Sequence, residues 1–201
     1  PSVDPACSDS AKYGKVETFI TRDVVSWISS NFNVIHAARA WTVAGYSNGG
    51  ACALTYAAKY PDIWGNVVDI SGEEFPGQEH PSRVLAQIFG GNQAAYDAQI
   101  PAKVFARHKY ADTVGIFTVG SNDPEYVSRV KRSFQAARSA GVTATYYEVP
   151  DGGHVLGALL GGLREGFTIL YPRLELAQPE GPTAESAEPR RRFLSSSRVP
   201  Y

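Results

Sequence analysis

Four short apolar runs separated by helical patterns constrain this chain more than any other feature. They span Ala40 to Tyr46, Asn66 to Ile70, Gly115 to Val119 and Val142 to Val149. Strands that alternate with helices pair in parallel, because each crossover carries the chain back to the end of the sheet from which it started. The expected fold class is therefore α/β, a three-layer sandwich around a mostly parallel sheet. A chain of 201 residues, 43% hydrophobic and 19% charged, can bury one core of that kind.

The connecting segments follow from spacing. Val16, Phe19, Ile20, Val24, Trp27 and Ile28 recur every three or four residues, which predicts an amphipathic helix ending near Asn31 and packed by this stripe on something larger. Ala51 to Tyr60 is rich in alanine, with Pro61 as its stop. A further stripe comprises Tyr126, Val127, Val130, Phe134 and Ala137, with Arg129, Lys131, Arg132 and Arg138 on the wet side. Val155 to Leu170 reads as the final helix. Between Ser71 and Lys109 the pattern breaks into short helical pieces around Pro76, Pro81 and Pro101, expected to cap the strand ends. Residues 1–174 are expected to form the domain, and 175–201, dominated by Pro, Glu, Ser and Arg, a disordered or extended tail. Arg190, Arg191 and Arg192 read there as a solvated charge run.

Nineteen basic and twenty acidic residues leave a formal charge of −1, so no whole-chain field favours nucleic acid, and none is expected as a partner. No apolar run approaches the roughly eighteen residues of a membrane span, so no span is expected in this chain. Methionine is absent, which leads us to expect a processed or truncated product. Cys7 and Cys52 can form one bridge in an oxidising compartment or remain two thiols in a reducing one.

Gly45-Tyr46-Ser47-Asn48-Gly49 fits the G-x-S-x-G elbow, in which a serine stands on a sharp strand-to-helix turn and its neighbours must be small. Its flanks, "RAWTVA" before and "GACALTYAAKYP" after, supply the strand and the helix. A serine of a simple tight turn is the plainer alternative. A hydroxyl is a weak nucleophile, so it needs a base, and the base needs an orienting carboxylate. His36, His80 and His108 lie in the loop before the motif strand and in the cap region, whereas His154 follows "VPDGG" at the end of the last strand. An α/β sheet presents its reactive groups at that end, so His154 is the expected base. The order serine, carboxylate, histidine points to Asp123 in "VGSNDPEY". Asp before Pro124 is equally a helix N-cap, so Glu125 stays open as a substitute, with Asp151 and Asp112 behind it. The backbone N–H of Asn48 is the assignable oxyanion donor; a second should come from a loop after an earlier strand, and none can be assigned. No His/Asp/Glu cluster has metal-ligand spacing, and no metal or cofactor is expected. Glu73 and Phe75 are expected to help shape the pocket.

Together "VETFITRDVVSWI", "WTVAGYSNGGACALTYAAKYPDIWGNVVDISG", "VGSNDPEY" and "VPDGGH" resemble the "putative esterase" family of the α/β-hydrolase superfamily, over about residues 7 to 172. The likeness is strongest to its actinobacterial cell-envelope branch, which includes mycolyltransferases. Such domains begin with several strands ahead of the "VETFI" helix, so the resemblance implies the C-terminal two-thirds of the domain. It also implies Ser47 as nucleophile, His154 as base, Asp123 as acid and Asn48 as oxyanion donor, with no cofactor and a small-molecule, lipid or sugar ester as substrate. Ester hydrolysis is the implied activity, with acyl transfer, or a non-catalytic binding module on the same fold, as alternatives. The resemblance further implies an exported, extracytoplasmic setting and a Cys7–Cys52 bridge bracing the elbow.

Overall fold

The computed structural model describes residues 5–176; of the predicted tail (175–201), the part from residue 177 on, with Arg190, Arg191 and Arg192, lies outside the described residues. A short antiparallel hairpin of β1 (Asp9–Ser10) and β2 (Gly14–Lys15) leads into a helical run. That run consists of α1 (Val16–Thr18), a π-helical stretch (Phe19–Val24) and α2 (Val25–Asn31). The predicted stripe is only partly buried. Phe19 and Trp27 are more than half exposed, while Glu17 and Thr21 are buried and Ile20 and Val25 pack on the core. Glu17 explains the rotation of the helix. Its carboxylate pairs with Lys59, accepts a hydrogen bond from the Tyr60 hydroxyl at 2.6 Å and another from the Gln99 amide at 3.1 Å. A buried carboxylate with three partners is stable inside, and its helix turns to place it there.

The central sheet holds four parallel strands in the order β3-β4-β5-β6: β3 (Thr42–Tyr46), β4 (Asn66–Ile70), β5 (Val114–Gly120) and β6 (Thr143–Val149). Each lies within two residues of its predicted limits. Tyr46 pairs with Ile70 and Ile70 with Thr118, and Gly120 pairs with Val149, so the carboxyl ends stand side by side. β4 is buried throughout, as a strand covered on both faces must be.

Two helical layers cover the sheet. On one face α3 (Asn48–Lys59) and α7 (Pro124–Ser139) pack on Val67, Phe117 and Val119. On the other, α8 (Leu156–Leu170) packs on Val68, Ile70 and Ile116. Right-handed crossovers place α3 and α7 on the same side, since each joins neighbouring strands of one parallel sheet. The sheet and its layers make the α/β sandwich expected from the alternation.

Between β4 and β5 lie α4 (Pro81–Gln87), α5 (Gln93–Asp97) and α6 (Pro101–Phe105). The expected cap is only partly one. α6 packs against α3 and α7 within the flanking layer, while Val84 and Tyr96 form a small separate core with Ala6, Phe75 and Phe89. Among the described residues no helix is long and apolar enough to cross a membrane.

Cys7 and Cys52 form a disulfide that closes a 45-residue separation and ties the lead-in to α3. Replacing both by alanine should cost about 2–4 kcal/mol, read as a lowered urea midpoint, because the unfolded chain regains the entropy of the open loop.

Candidate active site

The carboxyl end of β3 turns directly into α3, and Ser47 occupies the turn with φ 57° and ψ −123°, a backbone conformation that a residue with a Cβ rarely adopts. The helix starts at Asn48, three residues before its apolar pattern begins, because the small residues after Ser47 are themselves helical. Hydrogen bonds hold the turn: Ser47 N–H donates to the Ile70 carbonyl at 2.9 Å, and its own carbonyl accepts from Gly50 N–H at 2.9 Å and Ala51 N–H at 3.3 Å. Gly45 is required by close approach, since a Cβ there would collide with the Gly49 carbonyl. Strain at Ser47 persists because the sheet on one side and the helix on the other over-determine it.

His154 reaches the same place from the loop after β6. Its Nε2 stands 2.9 Å from Ser47 Oγ, and its Nδ1 stands 3.1 Å from Asp123 Oδ2. Asp123 is also the N-cap of α7, where Oδ1 accepts from Tyr126 N–H at 3.4 Å. Capping and the histidine contact, which compete on paper for one carboxylate, use different oxygens. The loops carrying them are locked together: Asn122 N–H donates to the Gly152 carbonyl at 2.7 Å and Ser121 N–H to the Val149 carbonyl at 3.0 Å.

The alternatives considered from sequence lie elsewhere. Glu125, two residues on, is largely exposed and paired with Arg129. Asp151 is exposed, with its N–H held by Ser121 Oγ at 2.9 Å, and Asp112 is exposed, its carbonyl accepting from Arg173. His80 is the N-cap of α4, His36 lies in the loop ahead of β3, and His108 is turned edge-on to the Tyr110 ring. Glu73 is buried in the loop after β4 with its N–H 3.4 Å from the Ser47 carbonyl, whereas Phe75 packs against Tyr96.

Sequence reasoning did not single out two tyrosines. The Tyr126 ring lies 3.9 Å from the His154 ring at 30°, and the Tyr46 ring 5.0 Å away at 26°. The imidazole thus packs against two aromatic rings, contacts that restrict its rotation. Burial, with the Asp123 carboxylate and Tyr126 adding to it, pushes the Tyr46 hydroxyl above its ordinary range and keeps it neutral. A signal was present, since Tyr46 is the variable residue of the elbow and Tyr126 falls in the first turn of the helix capped by Asp123. Neither position announces a ring contact without the tertiary structure.

As the first residue of α3, Asn48 has a backbone N–H without a carbonyl one turn back, and the positive end of the helix lies there. The arrangement can transfer a proton from a hydroxyl to an imidazole and offers a donor to an oxygen gaining charge. Among the described residues no group of three or more His, Cys, Asp or Glu side chains is placed to hold a metal ion.

Parallel sheet, two flanking layers and a strained serine at the strand-to-helix turn define an α/β-hydrolase-type protein. Residues 5–155 match the family described as "Putative esterase", and the chain belongs to it. An uncharacterized protein of Corynebacterium glutamicum is 34% identical over 159 residues, which are 76% of this chain and 37% of that protein. The chain therefore spans little more than a third of that relative's length. A ferulic acid esterase superposes with a TM-score of 0.63 at 22% identity, over 80% of this chain and 62% of the other. An S-formylglutathione hydrolase from Agrobacterium tumefaciens gives 0.65 at 14% identity, over 85% and 63%. The fluorophosphonate-binding serine hydrolase F of Staphylococcus aureus gives 0.64 at 16% identity, over 85% and 69%. At these identities the structural likeness is one of fold.

Gly45→Ala should destabilise the domain by about 3 kcal/mol or more, because backbone rather than a mobile side chain must give way. Urea unfolding followed by tryptophan fluorescence measures it; an unchanged midpoint would show that the turn is not as tightly packed as described.

Proposed function

We propose that this chain carries the active centre of a serine esterase that works through an acyl-enzyme. The observation that supports it most is the hydrogen-bonded chain from Ser47 Oγ through His154 to Asp123 Oδ2, set on the strained turn. Membership of the esterase family supports it independently.

In this reading Ser47 Oγ attacks the ester carbonyl carbon while His154 Nε2 takes its proton. The carbonyl oxygen gains charge and is met by the Asn48 N–H at the head of α3. As the C–O bond to the alcohol breaks, His154 gives its proton to the departing oxygen, leaving Ser47 acylated. Water then attacks the acyl carbon as His154 Nε2 takes its proton, and the bond from that carbon to Ser47 Oγ breaks as His154 returns the proton to Oγ, releasing the acid and restoring the hydroxyl. Asp123 holds the imidazole with Nδ1 protonated, so that Nε2 faces the serine. Acyl transfer differs only in that an acceptor alcohol replaces water in the second half.

The substrate is an ester of a small molecule, a lipid or a sugar. The fold neighbours named ferulic acid esterase and S-formylglutathione hydrolase, the latter named for a thioester, support acyl–heteroatom cleavage on this fold without choosing a substrate. The Cys7–Cys52 disulfide supports an extracytoplasmic setting, because such bonds persist where the medium is oxidising. The Corynebacterium glutamicum relative supports placing the chain in the actinobacterial branch.

Ser47→Ala should lower hydrolysis of p-nitrophenyl acetate by at least about 10³-fold and abolish fluorophosphonate labelling, and Asp123→Asn should lower kcat by about 10³–10⁴-fold. A folded Ser47→Ala protein that turns over ester at the wild-type rate would overturn the reading.

A further inference from the structure

Nothing in the mechanism uses the carboxyl of Asp69, yet it lies beneath the nucleophile turn. Asp69 is completely buried on β4, opposite Gly45 of β3 and Phe117 of β5. Neither carboxyl oxygen has a hydrogen bond of ordinary geometry among the described residues, and the backbone N–H of Gly72 is the polar group that faces it. Two missing side chains make its space. A Cβ on Gly50, in the first turn of α3, would come within 2.5 Å of Oδ1, and a Cβ on Gly72 would overlap the carboxyl outright. Asp69 is therefore the side chain on which the start of the nucleophile helix rests.

We propose that Asp69 is a positioning residue for the Ser47 turn, its carboxyl wedged in the gap left by Gly50 and Gly72 and acting on the reaction through the first turn of α3. The inference rests on the esterase reading above. The free N–H groups and positive end of α3 face the oxygen that gains charge during attack on the ester. A full negative charge beside Gly50, in a buried low-dielectric setting, draws on those same dipoles and weakens what they offer the oxyanion. A neutral carboxyl fills the space without competing.

The charge of Asp69 changes in the range where such a reaction runs. Burial pushes its carboxyl from 3.8 up to about 7, with the Gly72 N–H pulling weakly the other way. The facing residues of β3, β5 and α3 are Gly45, Phe117 and Gly50, none ionisable. The loop after β4 contributes Glu73, buried, and Glu74, which pairs with Arg132. The reacting groups add Asp123, paired with His154, and Tyr46. Because the folded chain keeps a proton that the unfolded chain releases near 3.8, stability from this group is full below about pH 4 and is lost as pH rises through about 7.

The test is the ratio of kcat/KM for p-nitrophenyl acetate, Asp69→Asn over wild type, across about pH 5 to 9. The ratio should rise about tenfold around pH 7, because asparagine cannot acquire the opposing charge. A purely structural role lowers the variant equally at every pH, so a flat ratio overturns the proposal. If Asp69→Asn does not fold, wild-type protein carrying ¹³C-carboxyl aspartate decides instead: one resonance should titrate near pH 7, and titration of every aspartate below about pH 5 overturns it. Fluorophosphonate labelling of wild-type Ser47 at about pH 6 separates this from the esterase reading. Absence of label removes the esterase; label with a flat ratio removes only the role of Asp69.

Discussion

The close contact between β3 and the start of α3 is the constraint on which the rest of this structure depends. Gly45 lies against the Gly49 carbonyl with no room for a side chain, and Ser47 is driven to φ 57° between them. A serine in that conformation would relax if either side could move. Neither can, because Ser47 N–H is tied to β4 through Ile70 and the helix is anchored by a core that includes Leu54 and Ala57. Strain is thus stored in one residue and held by many.

The far side of α3 is held just as firmly. Glu17 gathers Lys59, Tyr60 and Gln99, and the Cys7–Cys52 bridge joins the lead-in to the same helix. Removing any one partner would leave a buried carboxylate short of compensation, which costs more than the contact itself contributes. The helix that follows Ser47 is therefore braced from the sheet, from α1 and from the lead-in. Such rigidity suits a site whose geometry must hold to a fraction of an ångström.

Asp123 shows how one residue serves two structural demands. Its N-cap role positions α7, and the same carboxylate faces the imidazole with its other oxygen. From sequence the two roles look exclusive, and Glu125 is a natural rival. Geometry decides between them, since the N-cap residue faces back along the loop toward the sheet end while Glu125, in the first turn, points outward to Arg129. The apolar stripe from Val16 to Ile28 misled for a related reason. Periodicity identifies the helix, but a satisfied buried Glu17 outweighs two aromatic rings and turns Phe19 and Trp27 outward.

By itself the sequence determined the alternation of strands and helices, the turn at Ser47 and the loops that hold Asp123 and His154. Those follow from local chemistry: hydrophobic period, glycine where a side chain cannot fit, and proline after a cap. Only the tertiary structure decided which carboxylate meets the imidazole, that the rings of Tyr46 and Tyr126 lie against it, that the two cysteines meet, and that the Asp69 carboxyl is buried under the first turn of the helix, facing the Gly72 N–H. These are contacts between residues far apart in the chain, and they depend on strand register and on the face that each helix turns inward, which spacing along one segment does not specify.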